Sequence, residues 1–150
     1  MVISNLHKTF IKENLSNYKQ EFQDLNILVV NKFPIDRLLI VNTLVKVGIT
    51  HVKDAVAGVE AFSTLLEGDF NLLITDWDIP NMNGIELTRA IRTNDKLKNL
   101  PIFIITTRSM IQDVIKAKKT GVNEYIIKPF EAETLIYKIV KINRIMRINI

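Results

Sequence analysis

In the stretch FNLLITDWDIPNMNG, residues 70–84, an apolar run stops at Asp76, and Asp78 follows two positions on. A carboxylate at the end of a strand is a competent nucleophile toward an activated phosphoryl group, giving an aspartyl phosphate. That chemistry is mostly positioning plus neutralisation of the phosphoryl oxygens, usually by a metal and a lysine. Lys128, just ahead of Pro129, ends another apolar run and can bring one positive charge, while Thr106 ends a third and can donate a hydroxyl hydrogen bond. A fourth run, NILVV, stops at Asn31 and Lys32, an amide and an ammonium where an acidic pair would complete a cation site with Asp76. Each residue also has a plainer use. The aspartate can cap the following helix, the threonine can be a β-branched strand residue, and the lysine can be solvated loop.

These residues share a volume only if their runs are neighbours in one sheet. From residue 26 onward, short apolar runs alternate with helical patterns. The strands read as NILVV (26–30), THVKDAV (50–56), FNLLIT (70–75), PIFIIT (101–106) and EYIIK (124–128). The helices read as 34–48, 58–68, 84–94, 109–121 and 131–148, with Pro34 in a first turn, Ser109 as an N-cap, and Gly48 and Gly121 just past helix ends. Five strands, each followed by a helix, predict an α/β fold with a doubly wound parallel sheet covered on both faces. The near-continuous apolar runs suit central strands, and the more polar THVKDAV suits an edge. In such sheets function gathers outside the carboxyl ends of the strands. Those ends carry Asn31, Lys32, Asp76, Asp78, Thr106, Thr107 and Lys128. Residues 1–25 lie outside this unit, and Ile11, Leu15, Tyr18, Phe22 and Leu25 form a helical stripe that predicts an added amphipathic helix.

Composition narrows the remaining classes. With 150 residues, 47% hydrophobic and 24% charged, the chain has room for one domain with a core. No apolar run approaches the ~20 residues of a membrane helix, and the first residues have no uninterrupted apolar core of a signal peptide. There is no cysteine, hence no disulfide framework or thiolate metal site. The net charge of +4 is spread along the chain, and its lysine clusters are not interleaved with aromatics. These features predict a cytoplasmic protein bound to neither nucleic acid nor membrane.

Residues 26–145 resemble the receiver domains of two-component signalling, in particular the small stand-alone chemotaxis type. The resemblance is carried by ITDWDIPNMNG, with Pro80 and Gly84 shaping the turn, and by Thr106, Tyr125 and Lys128-Pro129-Phe130 in the family's order. It implies a flavodoxin-like sheet of order 2-1-3-4-5 and a division into an extension (1–25) and a receiver-like domain (26–150). It further implies Asp76 as phosphoacceptor, Lys128 and Thr106 as its catalytic companions, and Thr106 with Tyr125 as the switch. Magnesium, the family's cofactor, would be held by Asp76 and the backbone carbonyl near Asp78, with Asn31 as a further candidate oxygen ligand. Where the family has two adjacent acids, this chain has Asn31 and Lys32, which predicts weak or absent magnesium. Lys32 either pairs with Asp76 in the cation's place or swings out to solvent, and Asp36 is a possible substitute ligand. Thr107 would narrow the approach to the acceptor.

Three readings follow. One is a phosphorelay switch that takes phosphate from a sensor histidine kinase and acts on a downstream protein. Another is a phosphorylation-independent pseudo-receiver acting as an interaction module. The third is a phosphohydrolase similar to the haloacid dehalogenases, whose Asp-x-Asp motif follows the first strand. Here the motif follows the third strand, so a non-enzymatic signalling role is favoured. The last helix carries more apolar positions than one buried face needs, which predicts a homodimer or partner surface on it or on the N-terminal extension.

Overall fold

The structure is a computed structural model describing residues 18–148, so Ile11 and Leu15 of the N-terminal stripe lie outside the described residues. Its elements in chain order are α1 (Lys19–Asp24), β1 (Asn26–Val30), α2 (Pro34–Lys46), β2 (His51–Ala55), α3 (Gly58–Glu67), β3 (Leu72–Thr75), α4 (Gly84–Arg92), β4 (Ile102–Thr106), α5 (Ile111–Thr120), β5 (Glu124–Ile127) and α6 (Ala132–Ile148). The strands form one parallel sheet in the order β2-β1-β3-β4-β5. The polar strand β2 lies at an edge, while β1, β3 and β4 are central and almost wholly buried.

Strand alternation sorts the core into two layers. Ile27, Val29, Leu72, Ile74, Phe103, Ile105 and Ile126 point to one face and pack with Ile40 and Leu44 of α2 and Leu135, Ile136 and Ile139 of α6. Leu28, Val30, Leu73, Ile102 and Ile104 point to the other and pack with Leu65 of α3, Leu87 and Ile91 of α4 and Ala117 of α5. The N-terminal segment joins the first layer. Tyr18, Phe22 and Leu25 are buried in it, Arg144 lies 4.5 Å from the Tyr18 ring centre, and Asn143 donates to Glu21 at 3.4 Å. Within the described residues, the surplus apolar positions of the last helix are thus met by the same chain, leaving Ile145 42% exposed.

Helix ends follow the local chemistry. Pro34 opens α2, and Gly48 and Gly121 take the left-handed conformation past the ends of α2 and α5. Ser109 is not the cap of α5. The helix starts two residues later and Met110 holds the cap position without a side-chain bond, so the serine hydroxyl is out of register with the first amides. No helix among the described residues is long and apolar enough to cross a membrane.

Candidate functional site

Register brings the predicted residues together. Val30 stands opposite Thr75, so Asn31 and Asp76 leave their strands level with one another on the face covered by α2 and α6. Lys128 leaves β5 on that same face, two residues after Ile126. Its ammonium donates to Asp76 Oδ2 at 2.8 Å and to Asp36 Oδ2, on the first turn of α2, at 3.2 Å. The Asp76 and Lys128 side chains are only 10% and 14% exposed, whereas Asp36 is 42% exposed. The other Asp76 oxygen accepts from the Asp78 backbone N–H at 3.2 Å. The Lys128–Pro129 peptide bond is cis.

Asp76 does not cap the next helix. That work falls to Asn83, whose side chain accepts from the Ile85 and Glu86 amides while Glu86 reaches back to the Asn83 N–H, a closed capping box. The carboxylate is therefore left to the site. Gly84 supports it from behind. A Cβ there would stand 2.6 Å from the Asp76 carbonyl oxygen and 3.0 Å from the Trp77 Cα, so only glycine lets α4 approach the Asp76–Trp77 backbone this closely.

Lys32 does not pair with Asp76, which corrects one of the two expectations for it. It is exposed, with its ammonium 5.0 Å from the centre of the Phe33 ring, and Lys128 takes the place beside Asp76. Alternation supplies the reason: Asn31 shares a face with Asp76, so the next residue leaves it. The Asn31 side chain is wholly buried. Its oxygen accepts from the Phe33 N–H at 2.9 Å, and its amide nitrogen has no partner.

Thr106 and Tyr125 sit on the opposite face of the sheet, with Thr75 and Trp77. Thr106 is fully buried, and its hydroxyl accepts a long, 3.4 Å bond from the Arg108 amide. The Tyr125 ring meets Trp77 nearly edge-on, with centroids 6.5 Å apart, and its hydroxyl donates to the Arg108 carbonyl at 3.0 Å. Burial pushes the Tyr125 hydroxyl up to about 12, with Asp113 adding to the effect. Thr107 is exposed.

Arg108 was not singled out from the sequence, yet it ties these parts together. Its guanidinium donates twice to Asp78, at 3.1 and 2.8 Å, lies 4.8 Å from the Trp77 ring centre, and reaches Asp113 at 3.6 Å. The Arg108 bond holds the Asp78 carboxyl below its usual range, with further help from the charges of Arg108 and Lys32 against some desolvation. Asp78 in turn raises Arg108. The available signal was an arginine two residues past Thr106, on the same rim as an unpaired acid. A groove of about 520 Å³ lined by Glu21, Asp24, Lys96 and Met146 lies at the other end of the sheet and gathers none of the predicted site residues.

A hard divalent cation wants about six oxygen ligands. Here both Asp76 oxygens are engaged, the Asn31 oxygen is committed to Phe33, and Asp36 is held by Lys128. Among the described residues, no three acidic, histidine or cysteine side chains converge closely enough to hold a metal.

The fold, the strand-end aspartate and its lysine are those of a receiver. The chain belongs to the response regulator receiver domain family, whose model matches residues 27–140. It is 41% identical over 118 residues to the chemotaxis protein CheY of Pseudomonas aeruginosa, covering 79% of this chain and 95% of that protein. Among solved structures it resembles CheY4 of Vibrio cholerae, with a TM-score of 0.72 at 28% identity over 78% of this chain and 97% of the other. It also resembles the receiver domain of a sensor histidine kinase from Pseudomonas aeruginosa, with a TM-score of 0.68 at 25% identity over 74% and 90% of the two chains. That structure holds a magnesium ion in its active-site cleft.

Proposed function

We propose that this receiver is a cytoplasmic, non-enzymatic signalling protein that accepts phosphate at Asp76 from a sensor histidine kinase and passes the signal through protein contacts. The observation that carries the reading is the Asp76 carboxylate, relieved of capping and held 2.8 Å from the Lys128 ammonium at the strand ends. In this reading Asp76 attacks the phosphoryl group, Lys128 neutralises one of its oxygens, and Thr106 turns its hydroxyl toward another. Tyr125 follows Thr106 because both are tied to Arg108. Residues 26–150 form the receiver unit and residues 1–25 an extension, of which Tyr18, Phe22 and Leu25 are buried in the first core layer. The output partner, or a second copy of the chain, meets the face of α5, β5 and α6, where Met110, Ile111, Ile115, Ile127 and Ile145 are exposed. Neither nucleic acid nor membrane enters this reading.

The donor set does not fit magnesium as the family binds it, because an amide and an exposed ammonium stand where two acids would serve the metal. Magnesium, where bound, would be held by Asp76 and the backbone at Asp78 and would offset phosphoryl charge. Binding is expected to be weak. Trp77, the only tryptophan, adjoins the acceptor and reports on it. Its fluorescence should show no saturable change at low-millimolar magnesium, and Lys32→Asp should create one. A saturable response in the unaltered chain would refute weak binding.

A second reading, a pseudo-receiver that works without phosphorylation, is favoured by the Asp76 oxygens being already engaged. Intact-mass analysis after incubation with a small phosphodonor and magnesium separates the two. An adduct absent from Asp76→Asn supports the phosphoacceptor, and no adduct at all supports the interaction module.

A further inference from the structure

Among the described residues, Asn31 is the one with a buried side-chain polar atom left unpaired. The side chain is completely buried. Its orientation is determined from one side: the Phe33 N–H is a donor, so the group 2.9 Å from it must be the amide oxygen. The NH₂ end therefore carries two hydrogens and meets no acceptor. A buried donor of this kind calls for something that completes it.

Register says what lies beside it. Asn31 and Asp76 follow the paired residues Val30 and Thr75 on adjacent strands and on one face, at an interstrand spacing of about 4.8 Å. A carboxylate in this place would offer oxygen to a cation. The amide hydrogens repel a cation and fit an oxyanion. A phosphoryl group standing on Asp76 brings acceptor oxygens into reach of both Asn31 and the Lys128 ammonium, itself 2.8 Å from the acceptor. The exposed Lys32, resting on the Phe33 ring, has a flexible stem that lets its charge turn toward the same group.

We infer that the Asn31 amide is a phosphoryl-oxygen donor, and that with Lys128 it lets Asp76 take up a phosphoryl group without a divalent cation. The inference rests on the phosphoacceptor reading. With an acyl phosphate as donor, an Asp76 carboxylate oxygen forms a bond to phosphorus as the donor's own acyl oxygen–phosphorus bond breaks. The leaving carboxylate keeps the electron pair. The phosphoryl group passes from one carboxylate oxygen to another, so no redox partner is needed.

The test uses the whole chain with acetyl phosphate, in excess chelator or in excess magnesium, and follows the phosphoryl adduct by intact mass. The adduct is expected to form in chelator as fast as in magnesium. Asn31→Asp keeps an acceptor for the Phe33 amide, replaces the donor with a carboxylate oxygen and adds a negative charge on the face shared with Asp76. The comparison is therefore made beside Asn31→Ser, which removes the amide donor without adding charge. Both should slow the chelator reaction about tenfold, the loss of one charge-assisted hydrogen bond, and Asn31→Asp should make the reaction respond to magnesium. Thermal unfolding confirms that the variants are folded, and the comparison of chelator with magnesium needs no variant. An adduct formed only with magnesium would overturn the inference while leaving the phosphoacceptor reading intact. Undiminished chelator reaction in Asn31→Ser would remove Asn31 from it. No adduct under either condition would refute both.

Discussion

Replacing Lys128 with methionine should cost far more stability than replacing Asp76 with asparagine. The two side chains are 14% and 10% exposed and 2.8 Å apart, so their gross attraction is about 6 kcal/mol at an effective dielectric of ~20. Lys128→Met leaves the Asp76 carboxylate buried with one backbone amide as its partner, and leaves Asp36 nearby with the same sign of charge. Removing one member of a buried pair costs about 3–5 kcal/mol, and the opening of the rim to water brings this to roughly 2–3 kcal/mol. Asp76→Asn is different, because Lys128 keeps Asp36, whose 42% exposure limits the strain of the rearranged pair. Its loss should stay within about 1 kcal/mol. Urea unfolding monitored by Trp77 fluorescence and far-ultraviolet dichroism measures both variants. Melting temperatures should fall by about 6 °C or more for the first and about 3 °C or less for the second. Equal losses, or a larger loss for Asp76→Asn, would show that Lys128 is not the group neutralising Asp76.

Three other perturbations probe the surrounding structure. Gly84→Ala places a methyl group 2.6 Å from the Asp76 carbonyl oxygen and should cost about 1–3 kcal/mol while altering Trp77 emission, both read in one unfolding series. Arg108→Gln should cost only about 0.5–1 kcal/mol, because Arg108 and Asp78 are 39% and 47% exposed. Asp78 has a lowered folded-state pKa, so this contribution should be fully present above its unfolded value of about 4 and vanish as pH falls through the folded one, a difference seen by comparing the two chains' unfolding across pH. Phe22→Ala should cost about 3–5 kcal/mol, since the ring is 1% exposed within the main core layer; an unchanged melting temperature would mean that the N-terminal helix is dispensable.

The sheet was legible because its strands are short apolar runs with helical patterns between them, and Pro34, Gly48 and Gly121 mark real helix boundaries. The convergence of Asp76, Lys128, Thr106 and Asn31 followed from topology alone. The choice of lysine did not, because Lys32 and Lys128 both stand at strand ends and carry the same charge. Only the strand registers, β1 with β3 and β4 with β5, show that Lys32 turns away from Asp76 while Lys128 turns toward it. Arg108 escaped notice because its importance lies in four contacts to residues up to 31 positions away, none of which has a local sequence signature. Ser109 misled for the opposite reason, as a good capping residue placed where the helix had not yet begun.

The plane of the sheet divides this site. Asn31, Asp76 and Lys128 lie on one side of it, and Thr106, Tyr125 and Trp77 on the other, where Arg108 pins them to one another. The two halves answer to different neighbours: α2 and α6 crowd the first, α4 and α5 the second. A substitution confined to the ionic half, at Asn31 or Asp76, therefore meets a different core layer from one in the aromatic half.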